Sequence, residues 1–248
     1  MNWTKRQIMA IALARQIEDE KSYIIGTGLP LIGATLAKNT HAPNAHFIFE
    51  SGIFESSPLE VPKSVTDLRL NMQASVLWPQ SRYFGFQALS AERKNIDAGF
   101  IGGAQIDPYG NINSTCIGEY GHQTSQFSGS GGANGIATFC DTVILMKHQK
   151  RRFVEHVDYI TSPGWIDGPT GRLERGLIPD KGPRAVITDL GIMQFDDNKR
   201  MYLAEYFPGV TRQEIMDNTG FELNTLNAVQ SPEPDEYLLE VLVNKVDR

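Results

Sequence analysis

The sequence predicts an α/β protein with an open, mostly parallel sheet flanked by helices. Short apolar runs of the kind found in buried strands alternate with segments of helical periodicity, which is the order expected of such folds. The chain has 248 residues, of which 41% are hydrophobic and 21% charged, as in ordinary soluble globular proteins. We expect one domain over residues 1–248, with a core of about 1–160 and an extension of short strands and helices over about 161–248.

Helices are predicted from their start signals. A capping box at Thr4 opens a helix that runs to about Asp19. Pro30 is favoured in a first helical turn and opens the second helix. A second capping pattern at Thr211 opens a late helix, and an amphipathic pattern predicts a final helix over residues 235–246.

Strands are predicted where apolar, β-branched and aromatic residues form short runs bounded by turn residues. The predicted strands cover residues 23–25, 47–50, 83–86, 98–101, 143–146, 159–161, 185–188 and 201–204. The early strands alternate with helices and so predict parallel pairing. The stretch after about Pro163 is richer in proline, glycine and short strands, which predicts an antiparallel extension.

The charge balance argues against nucleic-acid and anionic-membrane partners. The formal net charge is −6, and Lys-Arg-Arg at residues 150–152 is the only tight basic run, which is typical of a solvated surface. We see no N-terminal signal pattern and no apolar run of the ~20 residues needed to span a bilayer. We therefore expect a cytoplasmic protein.

Metal and serine-hydrolase chemistry have little support. Cys116 and Cys140 are isolated, with no C-x-x-C pair, so we expect reduced thiols and no metal site. The five histidines contain no H-E-x-x-H pattern. Ser130 stands in Gly-Ser-Gly-Gly rather than in a G-x-S-x-G elbow, which weakens a Ser-His-Asp hydrolase interpretation.

One carboxylate stands out by its position. Residues 46–52 read His-Phe-Ile-Phe-Glu-Ser-Gly, an apolar run closed by Glu50 and followed at once by Ser51 and Gly52. The pattern predicts a buried strand that ends at Glu50. A carboxylate there lies at an edge of the sheet, where α/β proteins usually bind ligands. Glu50 is therefore a candidate nucleophile.

The first of three glycine-rich loops covers residues 26–33. It follows a strand and precedes a helix, but Leu31 stands where a dinucleotide fingerprint needs glycine. A tight strand-to-helix turn is favoured. Such a turn can still offer backbone N–H groups to an anion at the start of the helix.

The second and third loops carry paired glycines. They read Gly-Gly-Ala-Gln-Ile-Asp at residues 102–107 and Gly-Ser-Gly-Gly-Ala-Asn at residues 129–134. Paired glycines let the backbone approach a ligand with its N–H groups exposed, which is what a developing oxyanion requires. On pattern alone each loop is equally consistent with a simple turn. Together with Glu50, the two loops favour a catalytic site.

In combination these segments resemble the family I coenzyme A transferases, beta-subunit type. The resemblance is carried by the four residues 49–52, by the loops at 102–107 and 129–134, and by the segments 26–34, 57–62, 109–111 and 161–169. The segments occur in order and at compatible spacing, from the first helix to about Leu223.

The resemblance implies an open α/β fold of the CoA-transferase type. It also implies a separate alpha subunit, a hetero-oligomer of alpha–beta pairs, and an active site where the subunits meet. Glu50 would attack an acyl-CoA thioester, giving first a mixed anhydride and then a glutamyl-CoA thioester, from which CoA passes to a short dicarboxylic acid. The CoA thioester would be substrate and covalent intermediate, with no tightly bound cofactor. Because glutamate is ordinarily ionised at neutral pH, this nucleophile needs no neighbouring base.

Further site residues follow from the same mechanism. The backbone N–H groups of Gly131 and Gly132 are candidate oxyanion donors. The residues expected near the substrate or CoA are Ser51, Gly52, Gly102, Gly103, Gln105, Gly129 and Asn134.

Two alternatives to transfer stay open. One is an acyl-CoA decarboxylase or hydrolase on the same scaffold, and the other is a non-catalytic subunit that binds CoA esters. Relatives of the first kind lack the strand-end glutamate, so Glu50 favours transfer. Glu50 together with both paired-glycine loops counts against the second.

Overall fold

The computed structural model describes residues 3–56, 61–64, 67–83, 85–86 and 96–247. Its contacts group the chain into two compact units, Met1–Phe100 with Glu233–Arg248, and Ile101–Pro232. The expectation of a single domain with a core over residues 1–160 stays a prediction.

The described elements are mostly short strands between helices. The helices are α1 (Lys5–Ala14), α2 (Leu29–Lys38), α3 (Ala133–Phe139), α4 (Gly171–Glu174), α5 (Arg212–Asp217) and α6 (Glu236–Val241), with a 3₁₀ turn at Leu68–Asn71 and a π-helical turn at Leu242–Val246. The strands are β1 (Ser22–Ile24), β2 (His46–Phe49), β3 (Ile53–Phe54), β4 (Val76–Leu77), β5 (Ala98–Ile101), β6 (Gln105–Ile106), β7 (Ile112–Asn113), β8 (Cys116–Ile117), β9 (Ser125–Gln126), β10 (Asp141–Leu145), β11 (Pro183–Ile187), β12 (Gly191–Phe195), β13 (Met201–Tyr206) and β14 (Val229–Gln230).

The first unit contains a sheet in which the strands follow the order β5-β1-β2-β3-β4. Strand β1 is parallel to both of its neighbours, and Tyr23 lies opposite Phe47 on one side and Ala98 on the other. All three of these side chains are buried. β3 then turns back antiparallel to β2, and β4 is antiparallel to β3. The parallel part of the sheet is as the alternating pattern predicts.

Helices α1 and α2 pack against each other at close range. Gly33 allows this approach, because a Cβ atom added there would lie 2.5 Å from Cδ2 of Leu13 and 2.9 Å from the carbonyl oxygen of Ala10. The predicted capping box is confirmed, since the Thr4 hydroxyl accepts from the backbone N–H of Gln7 at 3.2 Å. Helix α1 ends at Ala14, earlier than the predicted Asp19.

The second unit has a sheet with the order β14-β13-β12-β11-β10. Strands β10 and β11 are parallel, whereas β11, β12 and β13 form an antiparallel meander. This meander matches the antiparallel extension expected after Pro163. Strand β14 is parallel to β13, and the unit also contains two small antiparallel ladders, β6–β7 and β8–β9.

Two predicted strands are wrong. Residues 80–83 and 85–86 are helical, because Pro79 begins a turn whose carbonyl accepts from the backbone N–H groups of Arg82 and Tyr83. Residues 159–161 form no strand, although Ser162 makes one isolated bridge to Ile112. Residues 57–60, part of a segment that carried the family resemblance, lie outside the described residues.

No helix in the described part of the chain combines the length and the apolar character that crossing a membrane would require.

Candidate functional site

Glu50 begins the turn that connects β2 to β3. Phe49 and Ile53 lie opposite each other in that hairpin, and the N–H of Gly52 donates to the carbonyl of Phe49 at 2.9 Å. The Glu50 side chain is half-buried, and within the described residues it forms no hydrogen bond or ion pair. A tight turn therefore fixes the backbone of Glu50, while its carboxylate keeps its acceptor positions for a ligand.

Gly52 holds this turn against a neighbouring strand end. Its φ of +87° is in the left-handed region, and an added Cβ would collide with the carbonyl oxygen of Trp78. The N–H of Trp78 donates to the carbonyl of Gly52 at 2.8 Å. The rings of Trp78 and Phe54 meet edge to face at 4.8 Å. Only glycine satisfies both the conformation and the close approach.

Ser51 supplies an unused hydroxyl beside Glu50. Its Oγ is buried and has no hydrogen-bond partner among the residues that the structure describes. Most buried hydroxyls in proteins form a hydrogen bond, so an unpaired hydroxyl next to a candidate nucleophile is unusual.

The loop at residues 129–132 lies in the second unit and presents consecutive free amides. Gly129 and Gly131 have φ values of +87° and +53°, and Gly132 returns to φ −73°. The N–H of Gly129 donates to the carbonyl of Ser114 at 3.0 Å. Those of Gly131 and Gly132 have no acceptor among the described residues. Successive N–H groups in backbone of alternating hand form a concave nest that binds anions.

Asn134 ties the start of α3 to a distant segment. Its amide donates to the carbonyl of Thr161 at 2.7 Å. The Thr161 hydroxyl in turn accepts from the N–H of Ser114 at 2.8 Å. Because Ser114 also receives the Gly129 N–H, these bonds fix the nest-forming loop from both ends.

Gln105 is a buried residue whose side-chain amide is held inside the unit. Its carbonyl oxygen accepts from the Asn113 amide at 2.6 Å and from the N–H of Asp158 at 3.1 Å. Its nitrogen donates to the Asp158 carboxylate at 3.1 Å, and the N–H of Gly118 donates to the same carboxylate oxygen at 2.9 Å. Gln105 therefore organises the frame around the loop at 102–107.

The paired glycines of that loop are needed for close packing. An added Cβ at Gly103 would clash with the side chain of Ile112 and lie 3.3 Å from the hydroxyl of Ser114. One at Gly102 would lie 2.9 Å from the carbonyl oxygen of Leu145. Ser114 thus lies beside both paired-glycine loops.

Asp107 is a buried carboxylate next to the same frame. Burial raises the pKa of its carboxyl to about 6, although hydrogen bonds from Asn111 and Tyr109 act in the opposite direction. Oδ1 accepts from the N–H groups of Tyr109 and Asn111, both at 3.0 Å, and Oδ2 accepts from the Asn111 amide at 2.8 Å. These hydrogen bonds occupy both oxygens of the carboxylate, so Asp107 has a structural role.

The structure brings the predicted residues together in two groups. Glu50, Ser51 and Gly52 share one turn of the first unit. The loops at 102–107 and 129–134 share Ser114 in the second unit. The supporting roles of Asp158 and Thr161 were not predicted, because their bonds to Gly118 and Ser114 join positions 40 or more apart in the sequence.

The described residues give no support to a metal site. Within the described ranges, no three His, Cys, Asp or Glu side chains cluster in a way that could hold a metal ion.

A family model described as coenzyme A transferase matches residues 6–218. The chain belongs to the coenzyme A transferase family. It is 49% identical over 248 residues to the B-type subunit of glutaconate CoA-transferase from Acidaminococcus fermentans, a match that covers 99% of this chain and 93% of that one. It is 35% identical over 243 residues to the B-type subunit of 3-oxoadipate CoA-transferase from Pseudomonas knackmussii, covering 97% and 92%.

The fold of this CoA-transferase chain agrees with a solved relative. The crystal structure of glutaconate coenzyme A-transferase from Acidaminococcus fermentans matches with a TM-score of 0.96 at 48% identity, covering 99% of this chain and 95% of that one. The predicted α/β fold and the family resemblance are both confirmed. As a CoA-transferase, the chain belongs to enzymes that use CoA thioesters as substrates.

Proposed function

We propose that this chain is the B-type subunit of a two-subunit CoA-transferase that moves CoA between an acyl-CoA and a short dicarboxylic acid. Two relatives named as subunits of this type support the partner, an alpha subunit in a hetero-oligomer of alpha–beta pairs. Their names also support the substrate class, since glutaconate and 3-oxoadipate are both dicarboxylates.

The observation that carries the proposal is the Glu50 carboxylate, which a rigid turn positions and no described side chain engages. A structural carboxylate is normally paired or hydrogen-bonded, whereas a nucleophile must keep a lone pair available. Glu50 therefore has the freedom that a covalent role demands.

The reaction proceeds by two acyl exchanges on Glu50. Its carboxylate attacks the thioester carbonyl, and the tetrahedral intermediate expels CoA thiolate and leaves a mixed anhydride. The thiolate then attacks the glutamyl carbonyl, releasing the first acid as a carboxylate and forming a glutamyl-CoA thioester. The second acid repeats these steps in reverse order and leaves as the new acyl-CoA. No net proton is consumed, which suits a site without a general base.

Each tetrahedral intermediate carries an oxyanion that needs donors. We assign this role to the N–H groups of Gly131 and Gly132, because they lack acceptors within the described chain and form a nest. Donors that are fixed before the reaction contribute roughly 3–4 kcal/mol each to lowering a barrier of this type.

The remaining site residues have supporting roles in this proposal. The Ser51 hydroxyl is available to donate to the acyl group or to the Glu50 carboxylate. Gln105 and Asn134 hold the two loops in shape through their amides. The glycines that let the backbone lie near substrate or CoA are Gly52, Gly102, Gly103 and Gly129.

Intact mass spectrometry tests the mechanism. The chain, purified with its alpha partner, is incubated with glutaryl-CoA in the absence of acceptor acid. We expect a CoA adduct that maps to Glu50 and disappears when acetate is added. Glu50→Gln should form no adduct.

Other outcomes would contradict transfer. Consumption of the ester to free CoA without an adduct would indicate a hydrolase, and loss of carbon dioxide would indicate a decarboxylase. An intact ester and an unmodified protein would indicate a chain that only binds CoA esters.

A further inference from the structure

A second feature of the Ile101–Pro232 unit is a cavity of about 370 Å³ beside Gln105. This volume lies within the range of small-molecule sites. Its lining combines cationic, polar and apolar groups. The lining residues are Ala104, Gln105, Ile117, Ser125, Phe127, Arg151 and Arg152.

The two arginines share one neutral hydrogen-bond acceptor. The Nε atoms of Arg151 and Arg152 both donate to the side-chain oxygen of Gln149 at 3.2 Å. Arg152 also donates from Nη1 to the carbonyl of Gly103 at 3.2 Å. These bonds orient the guanidinium groups and leave terminal N–H groups of Arg151 without a partner in the described chain.

Neither arginine has an acidic partner within the described chain. None of the ion pairs found in the described ranges includes Arg151 or Arg152. Two adjacent guanidinium groups without such partners, on a chain of net charge −6, form a local positive field. Guanidinium groups match carboxylate and phosphate oxygens in a bidentate geometry, so the cavity suits an anion.

The apolar part of the lining restricts which anion fits. Ile117 and the partly exposed ring of Phe127 offer a surface for a short hydrocarbon chain. Ala104 belongs to the loop at 102–107, which begins with Gly102 and Gly103. A ligand in the cavity would therefore contact residues of the proposed substrate site.

We propose that this cavity is an anion subsite in which Arg151 and Arg152 bind the free carboxylate of the dicarboxylic substrate. The inference rests on the function proposed above, because it assigns the specificity of that reaction. The phosphates of CoA share the same oxyanion chemistry, so the test must separate the two sources. Residues 150–152, which the sequence suggested as a solvated surface, gain a binding role at two of their three positions.

The test measures ligand binding rather than turnover, so that it does not depend on Glu50 chemistry. Binding to the assembled two-subunit protein is measured by isothermal titration calorimetry with four probes, namely glutarate, butyrate, CoA and dephospho-CoA. Arg151→Gln should weaken glutarate binding about tenfold or more, the loss expected for a charge-assisted hydrogen bond, and leave butyrate binding unchanged. Arg152→Lys, which keeps the charge but loses the fork, should give a smaller loss in the same direction.

Arg175→Gln is the matched control, because Arg175 is exposed, lies outside the cavity and loses the same charge. Equal behaviour of Arg151→Gln and Arg175→Gln with all four probes would overturn the subsite. Equal weakening of glutarate and butyrate would also overturn it. Weakened binding of CoA but not of dephospho-CoA, with glutarate unaffected, would overturn the carboxylate assignment and identify the CoA phosphate as the anion.

The result is separable from failure of the proposed function. If Glu50 forms no adduct but Arg151→Gln still loses glutarate selectively, the cavity binds dicarboxylates and the transfer mechanism is wrong. Thermal denaturation of each variant shows that the fold is retained.

Discussion

The side-chain amide of Asn113 donates to the carbonyl oxygen of Gln105 at 2.6 Å, and this bond joins the two strands β6 and β7 through their buried side chains. It determines which end of the Gln105 amide faces the Asp158 carboxylate. The loop at 102–107 therefore depends on a residue that lies outside it.

Asn113→Ala should destabilise the protein. The change removes a donor to Gln105 and another to the carbonyl of Cys116, which leaves buried acceptors short of partners. We expect a loss of about 1–3 kcal/mol in the free energy of unfolding, measured by urea denaturation. Asn227→Ala is the control, since Asn227 is exposed. A pair of variants with the same urea midpoint would show that the buried amide contributes nothing.

Glu50→Gln should abolish CoA exchange without affecting the fold. The amide has the shape of the carboxylate but is not a nucleophile, and loss of a covalent nucleophile commonly lowers kcat by about a thousandfold or more. Because Glu50 has no described partner, the unfolding temperature should be unchanged. Glu222→Gln, at an exposed position, should keep full activity. Near-normal turnover by Glu50→Gln would exclude Glu50 as the nucleophile.

Gly52→Ala and Gly209→Ala together separate backbone strain from steric collision. Both glycines have φ in the left-handed region, +87° and +80°, but of the two only Gly52 faces a neighbouring backbone atom, the carbonyl oxygen of Trp78. We expect a loss of about 1 kcal/mol for Gly209→Ala and more than about 3 kcal/mol for Gly52→Ala in denaturant unfolding. Similar losses for the two variants would mean that the turn at Gly52 moves freely away from Trp78.

His148 should make the protein less stable in acid. Its ring stacks on Phe153 and contacts the Thr219 hydroxyl at 2.9 Å, and burial lowers the pKa of the imidazole from 6.5 to about 4. Between these two pH values the imidazole is protonated in the unfolded chain and neutral in the folded chain. The free energy of unfolding therefore falls as pH drops from about 6.5 to about 4. Between pH 7 and pH 4.5, His148 should lower the free energy of unfolding by an amount on the order of 2–3 kcal/mol.

The measurement is the difference in urea midpoint between pH 7 and pH 4.5 for wild type and His148→Gln. The difference should shrink in the variant, and the opposing effect of Asp107 cancels because both proteins contain it. His122→Gln, at an exposed position, should behave like wild type. An unchanged pH dependence in His148→Gln would show that His148 is not the group responsible.

Local signals predicted the parts of the fold that depend on local contacts. The capping box at Thr4 and the proline at position 30 work within one helical turn, so the sequence was sufficient to place both helix starts. The run at 83–86 was misread because its aromatic residues suit a strand, whereas Pro79 starts a helical turn before them. Tertiary context decides between such options.

In the candidate site, too, the features set by local sequence were predictable and those set by distant contacts were not. The Glu-Ser-Gly sequence was enough to predict a strand end followed by a turn, although the strand stops one residue earlier than predicted, at Phe49. The paired glycines were enough to suggest free amides. The roles of Asp158, Thr161 and Arg152 were not predicted, because each includes a bond to a residue at least 40 positions away along the chain. Nothing in the residue types at these positions distinguishes them from surface residues.

The hydrogen bond between Trp78 and Gly52 is made by main-chain atoms on both sides, so replacing the Trp78 side chain leaves its donor and its acceptor in place. Under the roles proposed above, the main chain sets the position of the Glu50 carboxylate and the Arg151 side chain sets the choice of acid. Evolution can then exchange Arg151 to accept a new acid while the proposed nucleophile keeps its position, so few mutations suffice to diversify this scaffold.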